Sequence, residues 1–308
     1  MLNFLLSRLF SALIVILGVS CLVFLLIHLV PGDPVEVMLG ESSLPADRVA
    51  LRHALGLDLP LWQQLGHYLQ GLLQFDLGNS LYSRRAIVDI LRERLPATME
   101  LAVAGLLVAV VIAFPLGTLA ALRKNTPWDS GAMFFAMLGI SIPNFWMGPI
   151  LIIIFSLGLG WLPVSGRSGL ESLILPALTL GTAMAAILSR MVRMTLLEQL
   201  GEDYIRTARA KGLSWRTVVF RHALKNAMLP IITLLGLQLG ALLAGAVITE
   251  IVFSWPGIGQ LVIESIHRRD YPVVQACVLL ISLTYVLVNA MTDLCYAWLD
   301  PRIRMAES

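Results

Sequence analysis

The stretch "ATMELAVAGLLVAVVIAFPLGTLAA", Ala97–Ala121, carries one charged side chain, Glu100, and otherwise little that water would hold. A helix needs roughly 20 predominantly apolar residues to cross a bilayer, and this run exceeds that length. Its apolar residues are continuous and do not alternate, so it reads as a helix and not as a barrel strand. Outward from it the same texture recurs over about residues 5–30, 130–159, 173–192, 228–253 and 274–298. The expected fold is therefore all-α: a polytopic membrane helical bundle with six transmembrane helices. Composition agrees, with 57% apolar residues, 14% charged residues and a mean hydropathy of +0.81. Soluble domains carry about 25% charged residues, so a soluble globular protein is excluded.

The organisation expected is one transmembrane domain over 1–308. It has a first span at 5–30, an extracytoplasmic segment at 31–95 and a five-span core at 97–298. The apolar run from Leu9 to Val30 is longer than the core of a signal peptide, and no A-x-A cleavage pattern follows, so it reads as an uncleaved span. Cys21, Cys277 and Cys295 lie in apolar segments without ligand spacing, which speaks against a disulfide framework or a metal site. Within 31–95, "LWQQLGHYLQGLL" has the spacing of a short amphipathic helix, and "FDLGNS" reads as a turn.

Charge placement orients the bundle. One side holds Arg8, Arg123, Lys124, the cluster from Arg190 to Lys225, Arg302 and Arg304; short loops opposite hold Arg167, Arg268 and Arg269. By the positive-inside rule both termini and the basic cluster are cytoplasmic. Pro115, Pro143, Pro149 and Pro176 fall inside spans, where neighbouring helices must re-satisfy the freed backbone. Gly181 with Ala185, and Gly236 with Gly240 and Ala244, give the small-residue spacing of close helix packing, expected within this bundle.

No G-x-x-x-x-G-K-[ST] loop, HExxH or GxSxG occurs, so no catalytic residues are assigned and an enzyme is not expected. Ionisable residues in spans are few: Glu100 and Glu250 near outer ends, where water is expected to reach them, and Asp293 near the cytoplasmic end. Pathway candidates are Pro143, Asn144 and Trp146 at an expected helix break, and Glu250; packing roles compete with each. A proton-driven secondary transporter is expected to place an acid near the midplane.

The cytoplasmic loop, about 193–227, contains "DYIRTARAKGLSWRTVVFRHALKNAMLP", Asp203–Pro230. Gly212 divides it into a short helix-prone piece and a second piece for which Ser214 is a fitting N-cap. Trp215, Val218, Val219, His222 and Ala223 share one face of the second piece, with Arg216, Arg221 and Lys225 away from its centre. An anchor to anionic lipid explains the charge. It leaves unexplained the small residues Thr207, Ala208 and Ala210, which a helix needs to sit closely in a groove of another protein.

This stretch resembles the coupling loop of ATP-binding-cassette importer permeases, in the variant of the dipeptide/oligopeptide/nickel branch. In the general pattern, Glu-Ala-Ala, three residues, then Gly, the corresponding positions are Arg206, Thr207, Ala208 and Gly212; only the last two match outright. The Leu-Pro that ends that pattern reads Leu224–Lys225. The stretches "VPGDPVEVMLG", "ALGLDLPLWQQ", "DLGNSLYSRRAIVDILRERLPATMELA", "SIPNFWMG", "GWLPVSG", "TEIVFSWPGIGQLVIESIHRRDYPVVQA" and "LDPRIR" follow the branch in its order. The layout is similar to the first of its two paralogous permease subunits. The resemblance implies a bacterial inner-membrane importer for small peptides, glutathione, nickel chelates or related solutes. It implies as partners a second permease, two cytoplasmic ATPases that hydrolyse ATP with Mg, and an extracytoplasmic solute-binding protein. This chain itself carries no cofactor on that reading. Asp203, Tyr204, Ile205, Arg206, Thr207, Ala208, Arg209, Ala210, Lys211 and Gly212 would form the element that docks on an ATPase. The alternatives left open are a self-sufficient secondary transporter or channel, and a membrane scaffold without a pathway.

Overall fold

The computed structural model describes residues 2–29, 35, 39, 44–54 and 56–299. "PGDP" and the tail "LDPRIR" beyond Leu299 lie outside them. The described chain is nearly all helical: α1 (Leu2–Leu29), α2 (Pro45–Ala54), α3 (Leu61–Leu73), α4 (Ile87–Leu122), α5 (Pro127–Ser141) and α6 (Asn144–Leu151), which continues as a π-helical stretch (Ile152–Gly158). Then come α7 (Leu170–Gly201), α8 (Asp203–Ala210), α9 (Trp215–Thr217) with a π-helical continuation (Val218–Ala223), α10 (Leu224–Val252), α11 (Ile258–His267) and α12 (Tyr271–Leu299).

Four stretches are long and apolar enough to span: Ile87–Leu122, Leu170–Gly201, Trp215–Gly240 and Tyr271–Thr292. A bent pair, α5 with α6 and its π continuation, makes a fifth. At 1.5 Å rise per residue, α1 is also long enough to cross, and its stretch Leu13–Leu25 is apolar. The expected span at 130–159 is not one rod: its halves meet at 101°. Pro143 is the cause. The residue before a proline is driven out of the helical region, and Ile142 accordingly has φ −92° and ψ 114°. The Pro143 carbonyl then accepts the amides of Trp146 and Met147, starting α6. The helix expected to end near 192 runs on to Gly201, so the break before the basic segment is a single extended residue, Glu202.

The chain forms two compact units. The first comprises residues 1–98 and 256–286. Its core joins Ile87 and Leu91 of α4 to Ile258 and Leu261 of α11 and to Val273, Ala276 and Cys277 of α12. The expected amphipathic helix is α3, fastened at its start by Gln64 Nε2 donating to the Leu59 carbonyl at 2.8 Å. Tyr68 of α3 stacks on Phe24 of α1, with centroids 5.9 Å apart. Burial pushes the Tyr68 hydroxyl up to about 12, with a smaller contribution from nearby Cys21.

The second unit comprises residues 99–255 and 287–308. Small residues let its helices touch. A Cβ on Gly181 of α7 would lie 2.5 Å from Val108 Cγ1 of α4, and one on Gly236 of α10 would strike Thr292 of α12. Gly181, Ala185, Gly236 and Gly240 are buried within this chain. On α4, Ala102, Ala109, Ala113 and Ala120 face inward, whereas Val103, Leu107 and Val111 stand exposed. Small inside and large outside is the pattern expected where lipid is the solvent and helix association depends on close packing.

Candidate functional site

The basic segment folds as two helices around Gly212. α8 closes with a Schellman motif: Leu213 N–H donates to the Ala208 carbonyl at 3.4 Å, and Gly212 N–H to the Arg209 carbonyl at 2.9 Å. That motif requires a left-handed residue after the cap, and Gly212 supplies it at φ +78°. Ser214 then caps the second helix, its Oγ accepting from Thr217 N–H at 3.3 Å. One strand of chain thus leaves α7 at Glu202, forms two helical turns, reverses at a glycine and re-enters a spanning helix.

What holds α8 in place is apolar. Ile205 and Ala208 are buried against Leu196 of α7, Ala121 of α4 and Val218 and Ala223 of the π-helical stretch. Ala208, read from sequence as a small residue turned outward, packs inward on its own chain. Its lack of bulk serves the approach of α8 to α7. Tyr204 is half-buried and donates its hydroxyl to Gln199 Oε1 at 2.7 Å. The exposed side carries Asp203, Arg206, Thr207, Arg209, Ala210 and Lys211. Arg206 pairs with Asp203 at 3.1 Å, and Arg209 lies over the Trp215 ring at 5.3 Å. Of the face expected on the second piece, Val218, Val219 and Ala223 are buried, His222 is half-buried and Trp215 is exposed. Leu213, Trp215 and Phe220 add exposed apolar surface beside Arg216 and Arg221. The result is a firmly based element whose outer surface mixes small, apolar and cationic groups.

The pathway candidates are placed differently from one another. Pro143 starts α6, with Asn144 half-buried beside it and Trp146 60% exposed. Glu250, expected within reach of water, is fully buried at 0% exposure. Hydropathy gives depth along a span and not the side that faces the bundle, so the burial was not readable. α6 meets the end of α10 at Gly148, where a Cβ would lie 3.0 Å from Val252 Cγ1 and 3.1 Å from Phe253 Cε2. Asn144 and Glu250 therefore stand on helices in contact. Glu100 pairs with Arg167 at 2.8 Å, exposed, with Arg167 also 6.0 Å above the Trp255 ring.

Two polar arrangements were not legible in the sequence. Asp270, buried, accepts from Ser80 Oγ at 2.5 Å and from the amides of Leu81 and Tyr82, clasping a loop far away in sequence. Beside it lies a cleft of about 170 Å³ lined in part by Tyr82, Arg85, Arg94, Glu264 and Arg268. Its arginines are engaged: Arg85 with Glu93, Arg94 with Glu264 at 3.6 Å, and Arg268 over the Tyr82 ring. The second arrangement is Asp129 with Arg193, at 2.6 Å.

Solved structures share the fold. The MetNI methionine ABC transporter, in inward-facing conformations, matches with a TM-score of 0.59 at 19% identity, over 69% of this chain and 97% of that one. A crystal structure of an amino acid ABC transporter with histidines matches with a TM-score of 0.52 at 12% identity, over 68% of this chain and 94% of that one. This chain thus shares its fold with chains of ATP-binding-cassette transporters. The chain belongs to the family described as binding-protein-dependent transport system inner membrane component, matched over residues 113–305, with that family's N-terminal component matched over residues 1–102. Relatives include the di/tripeptide transport system permease protein DppB of Pseudomonas aeruginosa, 46% identical over 99% of both chains. The dipeptide transport system permease protein DppB and the glutathione transport system permease protein GsiC of Escherichia coli K12 are each 43% identical, again over 99% of both chains.

Proposed function

We propose that this chain is the transmembrane permease subunit of an ATP-driven importer for small peptides or related solutes of the dipeptide or glutathione type. In this reading α8 rests against a cytoplasmic ATPase, and both chain termini are cytoplasmic. The observation that carries it is the two-sidedness of α8. Ile205 and Ala208 anchor it to α7 and the start of the next span, while Arg206, Thr207, Ala210 and Lys211 remain outside on a helix with no slack at either end. A lipid anchor needs charge but not rigidity. A dock that moves spans must be stiff, because a displacement is transmitted only through contacts that differ between two states.

The remaining partners follow from the same reading. A second, paralogous permease completes the pathway, two ATPase subunits bind and hydrolyse ATP with Mg, and an extracytoplasmic binding protein delivers solute. The relatives that transport dipeptides and glutathione support the substrate class. The test is reconstitution in proteoliposomes with cognate partners, following uptake of a labelled dipeptide and of glutathione. Uptake is expected only with ATPase and ATP present. ATP-independent uptake by the chain alone would establish the competing reading, a self-sufficient secondary transporter or channel.

A further inference from the structure

Asp129 stands in the first turn of α5 and Arg193 in α7. The guanidinium donates from Nε to Oδ1 at 2.6 Å and from Nη2 to Oδ2 at 2.7 Å. A third donor, the Asn125 amide, reaches Oδ2 at 3.0 Å from a turn residue with φ +60°. The acid is 7% exposed and the guanidinium 27%. A planar fork of this kind fixes both the distance and the relative rotation of the helices it joins, which a single contact does not.

Its location gives that constraint a use. Arg193 lies one helical turn before Leu196, and Leu196 is where Ile205 and Ala208 of α8 are packed. On the other side, α5 runs from Asp129 to the break at Pro143 and its 101° bend. α5 touches α7 again at Gly139, where a Cβ would lie 3.0 Å from Ala186 Cβ and 3.1 Å from the Thr182 carbonyl. The two helices are therefore in contact near both ends of α5. Near the break the contact is a close approach of small residues, Gly139 against Ala186 and the Thr182 backbone, with no side-chain hydrogen bond among the described residues to fix rotation. At the end adjoining α8 it is the ion pair.

We infer that Asp129 and Arg193 are positioning residues that make the broken span α5–α6 follow the displacement of α8. The inference rests on the reading of α8 as the ATPase dock. When α8 moves, the apolar cluster carries the end of α7 with it, and the fork carries α5. A well-packed apolar pair at these positions would hold the helices together without fixing their rotation.

The experiment uses the whole importer in proteoliposomes and reads three quantities: ATPase retained on the permease, ATP hydrolysis, and ATP-driven uptake of a labelled dipeptide. Asp129→Asn and the double variant Asp129→Leu/Arg193→Met are expected to retain the ATPase and at least half of wild-type hydrolysis while uptake falls tenfold or more. Arg193→Lys, which keeps the charge and loses the fork, is expected to fall between them and wild type. Wild-type uptake by the double variant overturns the inference. So does loss of hydrolysis in parallel with uptake, or failure of the double variant to accumulate in the membrane, since either makes the pair structural only. The dock is tested separately by Thr207→Trp: if that variant keeps both ATPase and uptake, the reading of α8 fails whatever the pair does.

Discussion

Gly212 sits where two helices need a left-handed residue, and a side chain there works against its own backbone. With φ +78° an L-residue other than glycine is strained by roughly 1–2 kcal/mol, asparagine least and β-branched residues most. Gly212→Val is therefore expected to lower the thermal midpoint of the solubilised permease and to weaken ATPase association, whereas Gly212→Asn stays near wild type. Equal melting curves for all three would contradict the motif. Ala208 and Thr207 are neighbours with opposite fates. Ala208→Trp overfills the cluster around Leu196, at about 1–3 kcal/mol. Thr207→Trp projects from an exposed site, where substitutions change stability by only about 0.5 kcal/mol. The first is expected to lower stability, and the second to leave the melt unchanged and block ATPase binding in a pull-down.

Elements joined by nearby residues were legible in the sequence; those joined across it were not. The α8–Gly212–Ser214 unit is written in caps and a glycine a few residues apart. Pro143 likewise announces a break, though a bend of 101° depends on what the second half packs against, here Val252 and Phe253. Ala208 was misread because helical spacing groups residues on a face without saying which partner the face meets. The Ser80–Asp270 clasp and the Asp129–Arg193 fork close over separations of 190 and 64 residues, which no local pattern records. Asp270 makes an element-scale prediction. Removing it in Asp270→Ala takes the acceptor from the Ser80 hydroxyl proton and the Leu81 amide, at a cost of about 1–3 kcal/mol. Hydrogen exchange in the 80–86 loop is expected to accelerate while exchange in α8 stays as it was. An unchanged loop would show that the clasp holds nothing.

At the scale of the whole molecule, lipid replaces water as the medium that the exposed surface must suit. Val103, Leu107, Val111, Phe134 and Phe135 stand outward, whereas Asp129 is paired with Arg193 and Glu250 is withdrawn into the interior. On the proposed reading the positive-inside imbalance puts both termini and α8 in the cytoplasm, which gives a direct prediction. In right-side-out vesicles a membrane-impermeant thiol reagent is expected to label Arg269→Cys and to reach Lys211→Cys only after permeabilisation. The converse would reverse the topology and remove α8 from any cytoplasmic ATPase. The central claim, that this chain imports solute only when an ATPase drives it through α8, is tested most directly by uptake in proteoliposomes holding the complete importer. Uptake is predicted to require ATP in the wild type and to vanish in Thr207→Trp, with the permease still inserted and folded. Uptake without ATP, or undiminished uptake in Thr207→Trp, would contradict it.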